Sequence, residues 1–401
     1  MEGWKEFELK IVAPYWIKKI DATELNERNY ISADNMMPNR SGIVNSVYAP
    51  TSGKSTFFET KDILVSNIRP YFRKIWFASF NGGCSNDVIV FRTNNELADP
   101  RFVYYYLSKD DFFDYMMAGA NGTKMPRGNK KSIPKYKINL PPLPTQRRIA
   151  SILSAYDNLI ENNLKRIKLL EEKAQLTYEE WFVRMKFPSH ENTPINEETG
   201  LPEGWEKVKL GDCCHLVMGQ SPKSEYYNNE CKGLPFHQGV KDYGFRFPVN
   251  SAWSTKGNRV AEEDSILFSV RAPVGRLNVA IDKIIIGRGL AAINHKRGWN
   301  SLLLYQLQKI FFEDNLMGGG AIYNSVTKKD VEGIKLLHGT DDLNQRFNNL
   351  ASYIDKSIKV ITKQNQLLKE ARDILLPRLM MGVIDTKELE GVVVNEIEGT
   401  N

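Results

Sequence analysis

Several groups of residues in this 401-residue chain carry types and spacings that could do chemistry. Tyr48-Ala49-Pro50-Thr51-Ser52-Gly53-Lys54-Ser55-Thr56 ends like a phosphate-binding loop. The glycine that must open such a loop is Tyr48 here, and its Cβ blocks the tight wrap of backbone N–H groups round phosphates. No strand ending in Asp is placed to hold magnesium, so a glycine-containing turn ahead of a strand at Ile63 is the better reading. Cys213, Cys214, His215, Cys231 and His237 are metal-ligand types. They contain no Cys-x-x-Cys pair, and the adjacent Cys213 and Cys214 do not both reach one tetrahedral ion in ordinary geometry, so no metal is expected. Glu262-Glu263-Asp264 and Asp341-Asp342 lack a lysine at nuclease spacing and read as a solvated turn and a helix N-terminus. No catalytic residue is expected.

Cationic and aromatic residues remain, and they fall at equivalent places in two halves. Arg69-Pro70-Tyr71-Phe72-Arg73-Lys74 follows one apolar run and Arg271-Ala272-Pro273-Val274-Gly275-Arg276 follows its counterpart. A guanidinium grips paired phosphate oxygens or a guanine edge, so Arg69, Arg73, Arg271 and Arg276 are expected contacts to nucleic acid, with Tyr71 and Lys74 beside them. A second basic loop, Gly119 to Lys131, carries Lys124, Arg127 and Lys130, and matches Gly318 to Lys329, which carries Lys328. Its glycines allow close backbone approach to phosphates, and its lysines supply salt-dependent attraction. In Phe236-His237-Gln238-Gly239-Val240-Lys241, Gln238 has the donor and acceptor pattern of an adenine contact.

The elements that must position these loops repeat. Glu2-Gly3-Trp4 matches Glu203-Gly204-Trp205, Ile63-Leu64-Val65-Ser66 matches Ile266-Leu267-Phe268-Ser269, Gln146-Arg147 matches Gln345-Arg346, and Asp157 matches Asp355. The collinear order of these matches makes each half a copy of the other. Each copy opens with short apolar runs bounded by Gly, Asn and Pro, the pattern of strands in an α+β unit. Each then runs into a stretch without Gly or Pro, expected to be a helix of about 60 Å. Leu153, Tyr156, Ile160, Ile167, Leu170 and Trp181 lie on one stripe of the first helix, and Ile354, Ile358, Ile361, Leu368 and Leu375 on one stripe of the second. Alternating spacings of three and four call for coiled-coil packing. The expected fold is α+β: two repeated globular units separated by two long antiparallel coiled-coil helices, related by a pseudo-twofold. The expected divisions are a first unit 1–143, a helix 144–187, a linker 188–202, a second unit 203–340, a helix 341–384 and a mobile acidic tail 385–401.

Composition sets the outer limits. At 42% hydrophobic and 25% charged residues the chain is a folded protein, and its net charge of +6 suits a polyanionic partner. No apolar run is long enough to span a bilayer, the N-terminus lacks the apolar core of a signal peptide, and four irregularly placed cysteines do not form a disulfide framework, so a cytoplasmic protein is expected.

Over nearly its full length the chain resembles the specificity subunits of type I restriction-modification systems. The resemblance rests on Leu140-Pro141-Pro142-Leu143-Pro144-Thr145-Gln146-Arg147-Arg148-Ile149-Ala150 leading to Leu153 and Asp157, on Leu169-Leu170, on Leu201-Pro202-Glu203-Gly204-Trp205, and on Leu375-Leu376-Pro377-Arg378-Leu379. It implies that the two globular units are target recognition domains reading two unlike parts of a split double-stranded DNA target. It further implies a noncatalytic chain whose helices dock two methyltransferase subunits, with restriction and translocase subunits in the complete complex. S-adenosylmethionine, ATP and magnesium would belong to those partners. The first half lacks the Leu-Gly-Asp seen at Leu210-Gly211-Asp212, and the second lacks a proline-rich run into its helix. A rival reading is an interaction scaffold with merely solubilising basic loops; a steep fall of DNA binding with salt separates the two. A fused nuclease would require metal-dependent cleavage by the chain alone.

Overall fold

The computed structural model describes residues 3–313 and 325–384. The stretch Gly318–Asn324 of the second glycine loop and the acidic tail lie outside the described residues. Contacts group the chain into two units, one of residues up to 162 together with those from 365 on, the other of residues 163–364. Each unit thus holds one α+β domain with part of both long helices.

In the first unit, Ile63–Ser66 is the central strand of a three-stranded antiparallel sheet, flanked by Ile75–Phe77 and Val88–Phe91. All four of its residues are buried, because successive side chains enter different cores. Ile63 and Val65 pack with Phe102, Phe112, Leu153 and Leu379, whereas Leu64 packs with Phe58, Trp76 and Cys84. A four-stranded sheet ordered Lys19–Asp21, Lys54–Phe58, Gly82–Cys84 and Tyr30–Ile31 closes the second core. The second unit repeats the arrangement. Ile266–Ser269 sits between Leu277–Val279 and Leu290–His295, with Cys214–Met218 on the far edge. Ile266 and Phe268 join Trp205, Phe347 and Ile354, and Leu267 joins Ala261, Ile284 and Leu290.

The repeat is also one of hydrogen bonds. Leu9 N–H donates to Tyr136 O (2.8 Å) as Leu210 N–H does to Ile334 O (2.7 Å), and Ser66 N–H to Lys74 O (3.0 Å) as Ser269 N–H does to Arg276 O (2.9 Å). Gln146 Nε2 bonds Pro141 O, five residues back, at 2.8 Å; the side chain that does this in the second unit is Asn344, to Gly339 O at 3.0 Å. The structure therefore equates Gln146 with Asn344, one residue short of the Gln345 expected from the sequence match.

The long helices run Leu143–Tyr178, continued by a π turn Glu179–Val183, and Asp341–Met380. They stop short of residues 187 and 384. The first leaves helix at Met185, in the left-handed region (φ 58), and the second ends at Gly382 (φ 64). There, Val383 N–H bonds Arg378 O and Gly382 N–H bonds Leu379 O, a glycine-terminated cap. Leu153, Ile160, Ile167, Ile354, Ile358 and Ile361 are buried as expected of a seam. Tyr156, Leu170, Trp181, Leu368 and Leu375 are only half-buried. Past Ala174 the buried positions are Tyr178 and Phe182, stacked at 5.3 Å, because four-residue steps into the π turn rotate Trp181 to the flank. Near the other end Leu376 and Leu379 take the core in place of Leu375. Asp157 on the first helix pairs with Arg372 (2.6 Å), and Asp355 on the second pairs with Arg246 of a domain loop. No described helix is long and apolar enough to cross a membrane.

Candidate nucleic-acid interface

In the first unit the strand Ile63–Ser66 runs out into a loop whose shape is unusual. Arg69 (φ 48) and Arg73 (φ 51) both adopt left-handed backbone on either side of the turn Pro70–Phe72. Two non-glycine residues in that region cost about 1–2 kcal/mol each, so the surroundings must hold them. They do so through Asn39 N–H to Phe72 O (2.8 Å) and Arg40 N–H to Arg73 O (3.0 Å). On the other side, Ile68 bridges Arg127 in antiparallel fashion, with Arg69 N–H on Pro126 O (2.7 Å) and Gly128 N–H on Asn67 O (3.0 Å). A Cβ on Gly128 would lie 2.8 Å from Asn67 Oδ1 and 3.1 Å from Ile133 Cδ1 and Met116 Cε, so a larger residue would displace the side chains packed at this crossing. The arginine loop and the lysine loop, separate in the sequence, are one surface.

On it Lys124, Arg127 and Lys130 are exposed, and Tyr71 and Phe72 form an exposed pair with ring centroids 4.6 Å apart. Arg73 shares Asp110 with Arg40, which the sequence reading missed, and Arg127 lies 3.3 Å from Asp87. Lys130 Nζ donates to Asn86 O at 3.0 Å. Such solvent-facing pairs are weak, so a phosphate can displace them. Arg69 is half-buried, its Nε without a partner among the described residues. Lys74 departs from expectation: it turns inward, donating to Ala33 O at 2.6 Å, and burial lowers its pKa. It ties the loop down instead of offering a free charge.

In the second unit Arg271 bridges Ser325, and Val326 N–H bonds Val270 O (3.0 Å), the equivalent of Gly128 on Asn67. Val270 N–H in turn bonds Gly289 O (3.0 Å), and Gly289 N–H bonds Gln238 O (3.1 Å). The segments bearing Arg271, Arg288 and Gln238 are thus laid side by side. Gln238 is exposed, and its Oε1 accepts from Ser221 Oγ at 2.7 Å. A Cβ on Gly287 would lie 2.8 Å from Gln238 Cα, and one on Gly289 2.6 Å from Gln238 O. This Gly-Arg-Gly passage puts Arg288 on the surface, and only its flanking glycines hinted at it. Arg271, Arg276 and Lys328 are exposed, with Lys328 3.3 Å from Glu332.

The residues set aside on sequence grounds are placed as follows. Lys54, Ser55 and Thr56 lie on a strand after a turn at Gly53 (φ 86), so no helix N-terminus faces a phosphate there. Glu263 and Asp264 both bind Lys359, and Asp341 binds Arg297 at 2.6 Å. His215 and Cys231 are exposed, and His237 bonds Asn250 at 3.0 Å. Of that set only Cys213 and Cys214 meet, Sγ to Sγ at 3.7 Å, and Cys213 lies among two histidines the sequence reading did not name, His295 and His338.

The family model for the type I restriction modification DNA specificity domain matches residues 1–172 and 202–338. The chain is similar to a Methanocaldococcus jannaschii protein named as the MjaX type I restriction enzyme specificity subunit, 33% identical over 309 residues covering 75% of this chain and 72% of that protein. It is also similar to the MjaIX specificity subunit of the same organism, 26% identical over 306 residues, 72% of this chain and 70% of that one. The fold is similar to the crystal structure of the type I restriction-modification S subunit from M. genitalium, with TM-score 0.61 and 17% identity over 94% of this chain and 96% of that chain. With the specificity-domain model matched in both halves of a repeated α+β fold, the chain belongs to the type I restriction-modification DNA specificity family.

Proposed function

We propose that this specificity subunit reads an asymmetric, two-part target in double-stranded DNA, one part with each α+β domain. The observation that carries this reading is the pair of bridges, Ile68 to Arg127 and Arg271 to Ser325, which fasten two loops into one basic surface at equivalent places. The frame is shared and the side chains are not, so the two surfaces suit unlike base sequences. Arg69, Arg73, Arg271 and Arg276 are assigned to base edges or backbone, and Lys124, Arg127, Lys130 and Lys328 to phosphates. Gln238 is assigned to an adenine, and Tyr71 to stacking or wedging in a groove.

The chain supplies no reacting group in this reading. It positions two methyltransferase subunits and, where present, restriction and translocase subunits, which carry the S-adenosylmethionine, ATP and magnesium, in the cytoplasm. Support comes from one face of each long helix, where Leu169 and Leu176 on the first and Tyr353, Val360, Leu367 and Ile374 on the second recur at seven-residue steps and are each more than half exposed. Apolar side chains repeated along one helix face are suited to docking protein. Selection of binders from random duplex DNA, using the chain assembled with its methyltransferase, tests the reading. A split motif with a fixed spacer and a steep salt dependence is expected; no enrichment over non-specific DNA would favour the interaction scaffold.

A further inference from the structure

Cys213, His295 and His338 stand on segments far apart in the sequence. They end, respectively, the helical turn Leu210–Cys213, the strand Leu290–His295, and the strand Lys335–His338 that leads to the second long helix. One ligand atom from each lies within 4.8 Å of the other two. The histidines are 5% and 9% exposed, and the one polar group both rings approach is the Cys213 thiol; neither buried Nε2 has a well-aligned hydrogen bond among the described residues. One thiol shared between two buried imidazoles leaves polar atoms under-satisfied, which is costly unless something further satisfies them. His295 is held in place by stacking on Trp299 (5.0 Å, 20°), whose Nε1 donates to Gln345 at 2.9 Å.

The repeat supplies an internal control. Asn94 N–H donates to Val12 O as Lys296 N–H does to Cys213 O, which equates Cys213 with Val12 and His295 with Thr93. Strand register, Lys5 opposite Leu140 and Glu206 opposite His338, equates His338 with Leu140. The first domain therefore fills the same place with buried Val12, Thr93 and Leu140, none of them a usual metal-ligand type. Three such residues occur together in the second domain at one spot where its copy has none.

We propose that Cys213, His295 and His338 bind one divalent transition-metal ion, of which zinc is the natural occupant, as a structural clip in the second domain. A thiolate with two imidazoles suits zinc or cobalt, not magnesium or calcium. The three residues supply three of the four ligands of a tetrahedral ion, and the fourth position falls to water or another small donor. Arg297 N–H sits 3.2 Å from His295 Nδ1, which puts the neutral ring's proton on Nε2. A cation taking Nε2 moves that proton to Nδ1, and the Arg297 contact is given up. The clip sits where the chain runs into the second long helix. The first domain stiffens that run with Pro141 and Pro142, and the second has Gly339 and Thr340 there.

The test uses the full chain, purified reduced and without added metal. Elemental analysis is expected to find about one equivalent of zinc, and cobalt added after chelation is expected to give tetrahedral d–d bands with a thiolate-to-cobalt charge-transfer band. Cys213→Val and His338→Leu copy the first domain's own residues; they should keep the circular dichroism of the fold and lose both metal and band. Cys231→Ser, at an exposed position, should keep both. A folded native chain with neither metal nor charge-transfer band overturns the proposal, as does a band that persists in Cys213→Val, which places the cation elsewhere. The native-chain titration decides even where a variant fails to fold.

Discussion

The hydroxyl of Tyr105 donates to Asp157 at 2.5 Å, and Tyr305 makes the same bond to Asp355 at 3.2 Å. In each unit a tyrosine on a domain helix is tied to an aspartate on a long helix, with an arginine paired to the same carboxylate. The Asp157 and Asp355 match that anchored the repeat in the sequence is therefore a match of function within the fold, the joint between a domain and its helix.

Tyr105→Phe and Tyr305→Phe are expected to destabilise the chain by about 1.5–3 kcal/mol each, the value of a hydrogen bond to a charged group. Asp355→Ala should cost about 3–5 kcal/mol, because Arg246, whose side chain is 5% exposed, keeps Glu171 at 3.4 Å as its one acidic partner among the described residues, beside the Tyr305 ring. Urea unfolding of the variants checks this; equal losses for Tyr305→Phe and Asp355→Ala would remove the ion pair from the account.

Burial raises the pKa of Glu171 to about 7, with Arg246 pulling against it and Asp355 adding to it. Its ordinary value is 4.5, so between the two the folded chain holds a proton that the unfolded chain has released. Stability of the second unit should be greatest below this window and fall as pH rises through about 7, by at most about 3 kcal/mol. Hydrogen exchange of the second unit near pH 5 and near pH 8, corrected for intrinsic rates, should show the slope in the native chain and its loss in Glu171→Gln.

Under the proposed function, Arg69→Ala should weaken contact with one half of the target and Arg271→Ala with the other. Each should cost about 1–3 kcal/mol if it grips a base edge. Binding to duplexes altered in one half at a time measures this. Loss of both halves in either variant would contradict one domain for one half-site.

Gly287→Ala places a methyl group 2.8 Å from Gln238 Cα, a backbone atom that cannot swing aside. The Gln238 and Arg288 segments should separate, at a cost of about 1–3 kcal/mol, with protection lost only over the second half of a DNA footprint. An unchanged footprint would show that Gln238 and Arg288 do not touch DNA.

What the sequence disclosed depended on whether its cause was local. The central strands Ile63–Ser66 and Ile266–Ser269 are legible because a short apolar run bounded by turn residues marks a strand; that they are covered on both faces is seen only in the fold. The long helices were legible from unbroken periodicity, but not the π turn that exchanges Trp181 for Phe182, since a one-residue shift leaves composition untouched. Each basic loop is legible by itself from its own charges and glycines. Their union through Ile68 and Arg127, and the arrival of Arg40 beside Arg73, depend on pairings across the chain. Lys74 looked like its neighbours until Ala33 supplied a carbonyl to hold it. Cys213 has cysteines and a histidine near it in sequence, whereas its companions in the fold come from two later strand ends.

The two joints draw their cation from different places. Arg372 lies on the second long helix and Arg246 on a loop of the second domain itself. Exchange of the first domain by recombination, ending before residue 143, would leave both Asp157 and its arginine behind, and the incoming domain would need to bring only a tyrosine. Exchange of the second domain removes Arg246 along with its loops, so an incoming domain without an arginine there would strand Asp355. New specificities should therefore be easier to acquire through the first half of this gene than through the second.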